Sequence, residues 1–182
     1  MGKTILLVED SEDDVLLVRR RMTQAGIVNP IFVVGDGDDA IAYLKGDHIY
    51  ADRNRFPSPA ILLLDLKMPR MSGFEVLNWC KSTNQTRDLF IVVLSHQDEL
   101  REVSRAYALG AKTFLIKPPS TDDFTNLARS FPDYWELLPN PNSKGPATNR
   151  GLTQTPEDST KNPSVPTRGY QNDLTRDNIA PP

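Results

Sequence analysis

Cysteine is almost absent. Cys80 stands alone among 182 residues, so no intramolecular disulfide can form, which fits a reducing compartment. Long apolar runs are missing too. The opening stretch MGKTILLVED carries only four consecutive apolar residues before two carboxylates. That is far short of a secretory core, and no segment approaches the roughly 18 apolar residues of a spanning helix. Gly2 follows Met1, but Leu6 occupies the position where myristoylation needs Ser or Thr. Charge of one sign is not in excess: 21 basic against 24 acidic residues give a formal net charge of -3. Neither that balance nor any basic recognition helix points to nucleic acid. The phosphate-cradling patterns GxxxxGK and GxGxxG do not occur. A cytoplasmic protein, bound to neither membrane nor nucleic acid, is the expectation.

Phe and Trp run out before the end of the chain. From Pro139 to Pro182 there is no Phe or Trp, while eight of the fifteen prolines fall there. Leu152, Val165 and Ile179 are isolated and follow neither a helical nor a strand period. Such a stretch cannot bury enough surface to offset its ordering entropy. The sequence therefore predicts one domain over 1–138 and a disordered Pro/Asn/Thr-rich tail over 139–182.

What is present is an alternation. Ile5–Val8, Ile31–Val34, Ile61–Leu64, Phe90–Leu94 and Thr113–Ile116 are short runs dominated by branched aliphatic residues. They read as strands buried on both faces. Between and after them lie helical patterns at Asp13–Ala25, Asp38–Lys45, Gly73–Lys81, Asp98–Leu109 and Thr121–Ser130. Val15, Val18, Met22 and Ala25 share one face of the first. Ser11 is its natural N-cap, with Asp14 three residues on to complete a capping box. Gly26 and Gly110 mark helix ends. Strict alternation of five strands and five helices predicts an α/β fold, a parallel sheet with helices on both faces. The segment His48–Pro59 reads as a long polar insertion.

In such a sheet, ligands bind beyond the carboxyl ends of the strands. The first strand delivers Glu9 and Asp10 there, the third Asp65, the fourth Ser95 and the fifth Lys117, followed by Pro118. Singly, each has an ordinary explanation: an acid after a strand caps the next helix, and Lys-Pro makes a turn. Their arrival together at one edge calls for a shared purpose. Clustered carboxylates repel, and a hard divalent cation such as Mg²⁺ relieves the repulsion through oxygen ligands. Asp65 could then act as a carboxylate nucleophile toward phosphorus. Lys117 and Ser95 would balance charge and donate hydrogen bonds to the phosphoryl oxygens.

The segments ILLVEDSEDD, ILLLDLKMPRMSGFEVL, IVVLSHQD and GAKTFLIKP resemble the receiver domain of two-component response regulators, from about Lys3 to Arg129. The resemblance implies a flavodoxin-like sheet of order 2-1-3-4-5. It makes Asp65 the phosphoacceptor and Glu9 and Asp10 the acidic pair, with Asp10 the more direct metal ligand. Lys67 would give its backbone carbonyl to Mg²⁺. Met68, Pro69 and Gly73 would shape the loop after Asp65. Ser95 and Phe114 would form a hydroxyl and aromatic switch pair, Lys117 the essential lysine, and Lys117–Pro118 a cis bond. The insertion DGDDAIAYLKGDHIYAD and the ending FPDYWELLP are similar to small regulators paired with bacterial and cyanobacterial phytochromes. Pro132, which breaks the last helix, and the tail depart from the pattern.

The implied function is that of a single-domain response regulator. A histidine kinase, of phytochrome type on the finer resemblance, phosphorylates Asp65. The face formed by the fourth helix, fifth strand and fifth helix then engages a partner or a second copy of the chain. It is not an enzyme toward external metabolites. One rival is an interaction scaffold that ignores phosphate, which the complete acidic and lysine set disfavours. Another is a Mg²⁺-dependent aspartyl phosphohydrolase, which would need a general acid shortly after the nucleophile, where Lys67 stands. His96 has no second His or Cys nearby for a metal site, and His48 reads as a solvated loop residue. Trp79 and Cys80 read as core residues. Tyr134 and Trp135 read equally as a dimer contact or as a cover over the domain's own core.

Overall fold

The computed structural model describes residues 3–96 and 102–138. The expected tail over 139–182 lies outside them, as do 98–101 of the fourth expected helix. Five strands form one parallel sheet in the order β2-β1-β3-β4-β5: β1 Ile5–Val8, β2 Ile31–Val34, β3 Ile61–Asp65, β4 Phe90–Ser95 and β5 Thr113–Ile116. The helices are α1 Glu12–Gln24, α2 Gly37–Lys45, α3 Gly73–Ser82, α4 Val103–Ala108 and α5 Thr121–Ser130. Gly26 and Gly110 take positive φ just beyond α1 and α4, as expected of helix-ending glycines.

The sheet divides the core in two because successive side chains point to opposite faces. Leu6, Val8, Leu62, Leu64, Ile91 and Val93 face α2, α3 and α4, meeting Tyr43, Val76, Leu77 and Ala106. Ile5, Leu7, Ile61, Leu63, Val92 and Leu94 face α1 and α5, meeting Val18, Met22, Phe124 and Leu127. Only β1, β3 and β4 are buried throughout. The outer strands are half-buried, and Ile116 on β5 is 40% exposed. The expectation of burial on both faces fails for β2 and β5 because each has a neighbour on one side alone. Cys80 is buried, and burial pushes its thiol up to about 11 despite the Thr86 hydroxyl beside it. Trp79 sits at the core's margin.

The insertion is less polar in effect than in composition. Phe56 packs edge-on against Phe32, Tyr43 and Tyr50, and Tyr50 meets Tyr43 at a tilt. Arg53 donates to the Tyr43 and Leu44 carbonyls (2.9 and 3.0 Å), so it caps the end of α2.

Beyond α5 the chain turns at Pro132–Tyr134 and straps across the molecule. The Val28 and Leu138 amides donate to the Glu136 and Gly26 carbonyls, at 2.8 Å each. Buried Asn29 donates to the Lys3 and Tyr134 carbonyls and accepts from the Glu136 amide, at 2.7, 3.1 and 2.7 Å. Trp135 is 7% exposed within the α1/α5 core, and Tyr134 stacks on Phe90 with centroids 4.3 Å apart. These two aromatics therefore cover the domain's own core. The Trp135 ring is therefore not free to serve as a dimer contact, because the domain's own core already occupies it.

Candidate functional site

The strand order places a topological switch between β1 and β3. From β1 the chain moves outward to β2, then returns to the other side at β3, which opens a crevice at their carboxyl ends. The register pairs Val8 with Leu64, so Glu9 and Asp65 emerge side by side. One carboxylate oxygen from each of Glu9, Asp10 and Asp65 lies within 4.8 Å of the others. Glu9 and Asp65 are buried, while Asp10 is exposed at the mouth.

Lys117 follows β5 and is held by its amide to the Ser95 carbonyl (2.8 Å). Its ammonium reaches Glu9 Oε2, Asp65 Oδ2 and Asp14 Oδ2, each at 2.7 Å. Burial opposes its charge, but hydrogen bonds to Asp14, Asp65 and Glu9 prevail and hold the amine above its ordinary value. For Glu9, burial dominates. It raises the carboxyl above its usual range, assisted by the Asp65 charge and resisted by Lys117 and the Ser11 amide. The other oxygen of Asp65, Oδ1, accepts from the Lys67 amide at 2.9 Å. Ser95 is fully buried at the end of β4, its hydroxyl donating to the His96 carbonyl at 3.3 Å. Phe114 on β5 is half-buried, packs against the α2/α3/α4 core and meets Tyr107 edge-on at 6.3 Å.

The loop between β3 and α3 is pressed onto this site. Gly73 opens α3 so close to the strand that a β-carbon there would lie 2.1 Å from the Asp65 carbonyl oxygen. Its amide donates to the Leu66 carbonyl (3.1 Å). Arg70, with φ of 66°, pairs with the buried carboxylate of Asp36 at the start of α2. The Lys117–Pro118 bond is cis.

The residues singled out in the sequence thus meet at one edge. Glu9, Asp10, Asp65, Lys67 and Lys117 form one cluster, Ser95 ends the strand beside it, and Phe114 lies further along β5. Asp14 was missed. The spacing from Ser11 suggested a capping box, and Ser11 Oγ does accept the Asp14 amide at 3.3 Å. Its carboxylate, however, turns to Lys117 instead of closing the box. An acid in the first turn of the helix that directly follows the Glu9–Asp10 pair was the available signal. An all-oxygen set of three carboxylates suits a hard divalent cation and lacks the thiolate or imidazole that a softer one prefers.

The response regulator receiver domain model matches residues 5–129. The probable methanogenesis regulatory protein FilR2 of Methanothrix harundinacea is 33% identical over 131 residues, covering 72% of this chain and 82% of that one. Response regulator Rcp1 of a Synechocystis species is 30% identical over 133 residues, covering 73% and 88%. The Mn²⁺-bound structure of Rcp1 superimposes with a TM-score of 0.60 at 29% identity, over 73% of this chain and 94% of that one. The bacteriophytochrome response regulator RtBRR superimposes with a TM-score of 0.68 at 33% identity, over 79% and 86%. The chain belongs to the response regulator receiver domain family, the signalling domains of two-component phosphorelays.

Proposed function

We propose that this protein takes a phosphoryl group from a histidine kinase onto Asp65, in a Mg²⁺-dependent reaction, and signals through the resulting change of shape. The observation that carries the reading is the pairing of a buried carboxylate, Asp65, with a buried ammonium and two further acids at the sheet's switch point. An Asp65 carboxylate oxygen forms the new P–O bond as the P–N bond of the donor phosphohistidine breaks, and the imidazole leaves with its electron pair. The Lys67 amide orients the nucleophile through Oδ1. Lys117 holds positive charge where the phosphoryl oxygens arrive. Glu9, Asp10 and Asp65, with the Lys67 carbonyl, would hold the metal, Asp10 most directly. When bound, Mg²⁺ neutralises charge on the transferring group. Ser95 then turns toward the phosphoryl oxygens and Phe114 inward, which alters the α4–β5–α5 face toward a partner or a second copy.

The receiver is taken to span 1–138 and to work in the cytoplasm. Among the described residues, no helix is long and apolar enough to cross a membrane. The likeness to Rcp1 and RtBRR favours a kinase of phytochrome type. No reaction on external metabolites is assigned, since the groups gathered at this edge act on Asp65 itself.

Divalent metal tests the reading. Removing it should stop phosphorylation of the protein by acetyl phosphate, and adding Mg²⁺ should raise the melting temperature, because the ion binds the folded state alone. Asp10→Ala should weaken binding more than Glu9→Ala, since Glu9 is also engaged by Lys117. Full phosphorylation in excess chelator would rule the mechanism out.

A further inference from the structure

The Lys117 ammonium has three N–H donors, and three carboxylates take them: Glu9, Asp65 and Asp14. Its side chain is only 4% exposed, so water has little share in it. For Lys117 to reach a phosphoryl oxygen, one of those three bonds must be given up. Glu9 and Asp65 have side chains 1% and 3% exposed, and an unpaired charge in such surroundings is costly. The Asp14 side chain is 33% exposed and can exchange its partner for water at small cost. It also lies in the first turn of α1, where the helix N-terminus stabilises a free carboxylate.

We propose that Asp14 is the resting-state counter-charge of Lys117, a positioning residue that holds the ammonium at the sheet edge and yields it to the arriving phosphoryl group. The inference rests on Asp65 as phosphoacceptor. Exchange at Lys117 then links the chemical state of Asp65 to the first turn of α1, an element outside the Ser95 and Phe114 pair. A mere helix-terminus role is the alternative, and it would be shared by Asp13, which is exposed in the same turn.

The two readings separate in the affinity for beryllofluoride, a phosphoryl mimic, measured on the full chain at saturating Mg²⁺. Asp14→Asn removes a competitor for Lys117, so it should bind the mimic more tightly by about two- to fivefold, the scale expected of a partly exposed ion pair. Its Mg²⁺ affinity should stay unchanged or fall slightly, because one nearby negative charge is lost. Asp14→Glu, which keeps the charge, should return the mimic's affinity toward wild type, and Asp13→Asn should leave it unaltered. Asp14→Ser reports the same quantity should the asparagine variant melt below the assay temperature. Unchanged or weaker binding by Asp14→Asn, or an equal gain in Asp13→Asn, overturns the inference while leaving the phosphoacceptor reading intact. A wild-type protein that does not bind the mimic overturns both.

Discussion

Trp135→Ala should destabilise the protein by about 3–5 kcal/mol and lower its melting temperature by roughly 10 °C or more. The indole is 7% exposed and packs into the core formed by Ile5, Leu7, Val18, Met22 and Phe124. Among the described residues its Nε1 has no hydrogen-bond partner, so the loss is one of packing and of the cavity left behind. The rest of the strap amplifies the effect: Asn29, Glu136 and Leu138 fix the segment against the turn after α1. Thermal melts of two truncations sharpen the test. Ending the chain after Ser130 should be at least as damaging as Trp135→Ala, whereas ending it after Leu138 should leave the melting temperature nearly unaltered. A small effect of Trp135→Ala would mean that the strap does not close the α1/α5 side.

Gly73→Ala should also be strongly destabilising, against the trend of helix propensity. Alanine in a helix ordinarily gains about 1 kcal/mol over glycine. Here its β-carbon would meet the Asp65 carbonyl oxygen at 2.1 Å and the Leu66 α-carbon at 2.8 Å. Those are backbone atoms of the sheet, not the tip of a flexible side chain, so either β3 or the start of α3 must move. Overpacking of this kind costs about 1–3 kcal/mol and at times more. The displacement falls on Asp65 and on the Lys67 amide that holds it, so metal affinity should fall along with stability. Urea unfolding with and without Mg²⁺ measures both. A variant as stable as wild type, with equal metal affinity, would show that the loop does not need the close approach.

Legibility in the sequence followed the range of the interactions. The strands were plain because β1, β3 and β4 must be apolar on both faces, and such runs stand out between polar segments. The site was plain for a related reason: a parallel sheet delivers the residue after each strand to one edge, so Glu9, Asp65 and Lys117 converge without any knowledge of loops. Features set by distant partners were hidden. Nothing around Asn29 distinguishes a turn residue from one buried beneath the C-terminal strap, because two of its three partners, Tyr134 and Glu136, lie more than a hundred residues away. Nothing in the sequence sets Arg53 apart from the other charges of the insertion, yet it caps α2. Asp14 had a sufficient local explanation in Ser11, which masked its long-range bond to Lys117. The pairing of Arg70 with Asp36 has no local signal, since only the folded β3–α3 loop brings them together.

The central claim is that Asp65 carries the phosphoryl group, and borohydride trapping tests it most directly. An aspartyl phosphate is reduced to homoserine, which marks the acceptor in the peptide map. After treatment with acetyl phosphate and Mg²⁺, homoserine should appear at residue 65 alone, and neither chelator-treated wild type nor Asp65→Asn should yield any. Homoserine at Asp10 or elsewhere, or undiminished phosphate incorporation by Asp65→Asn, would contradict the account.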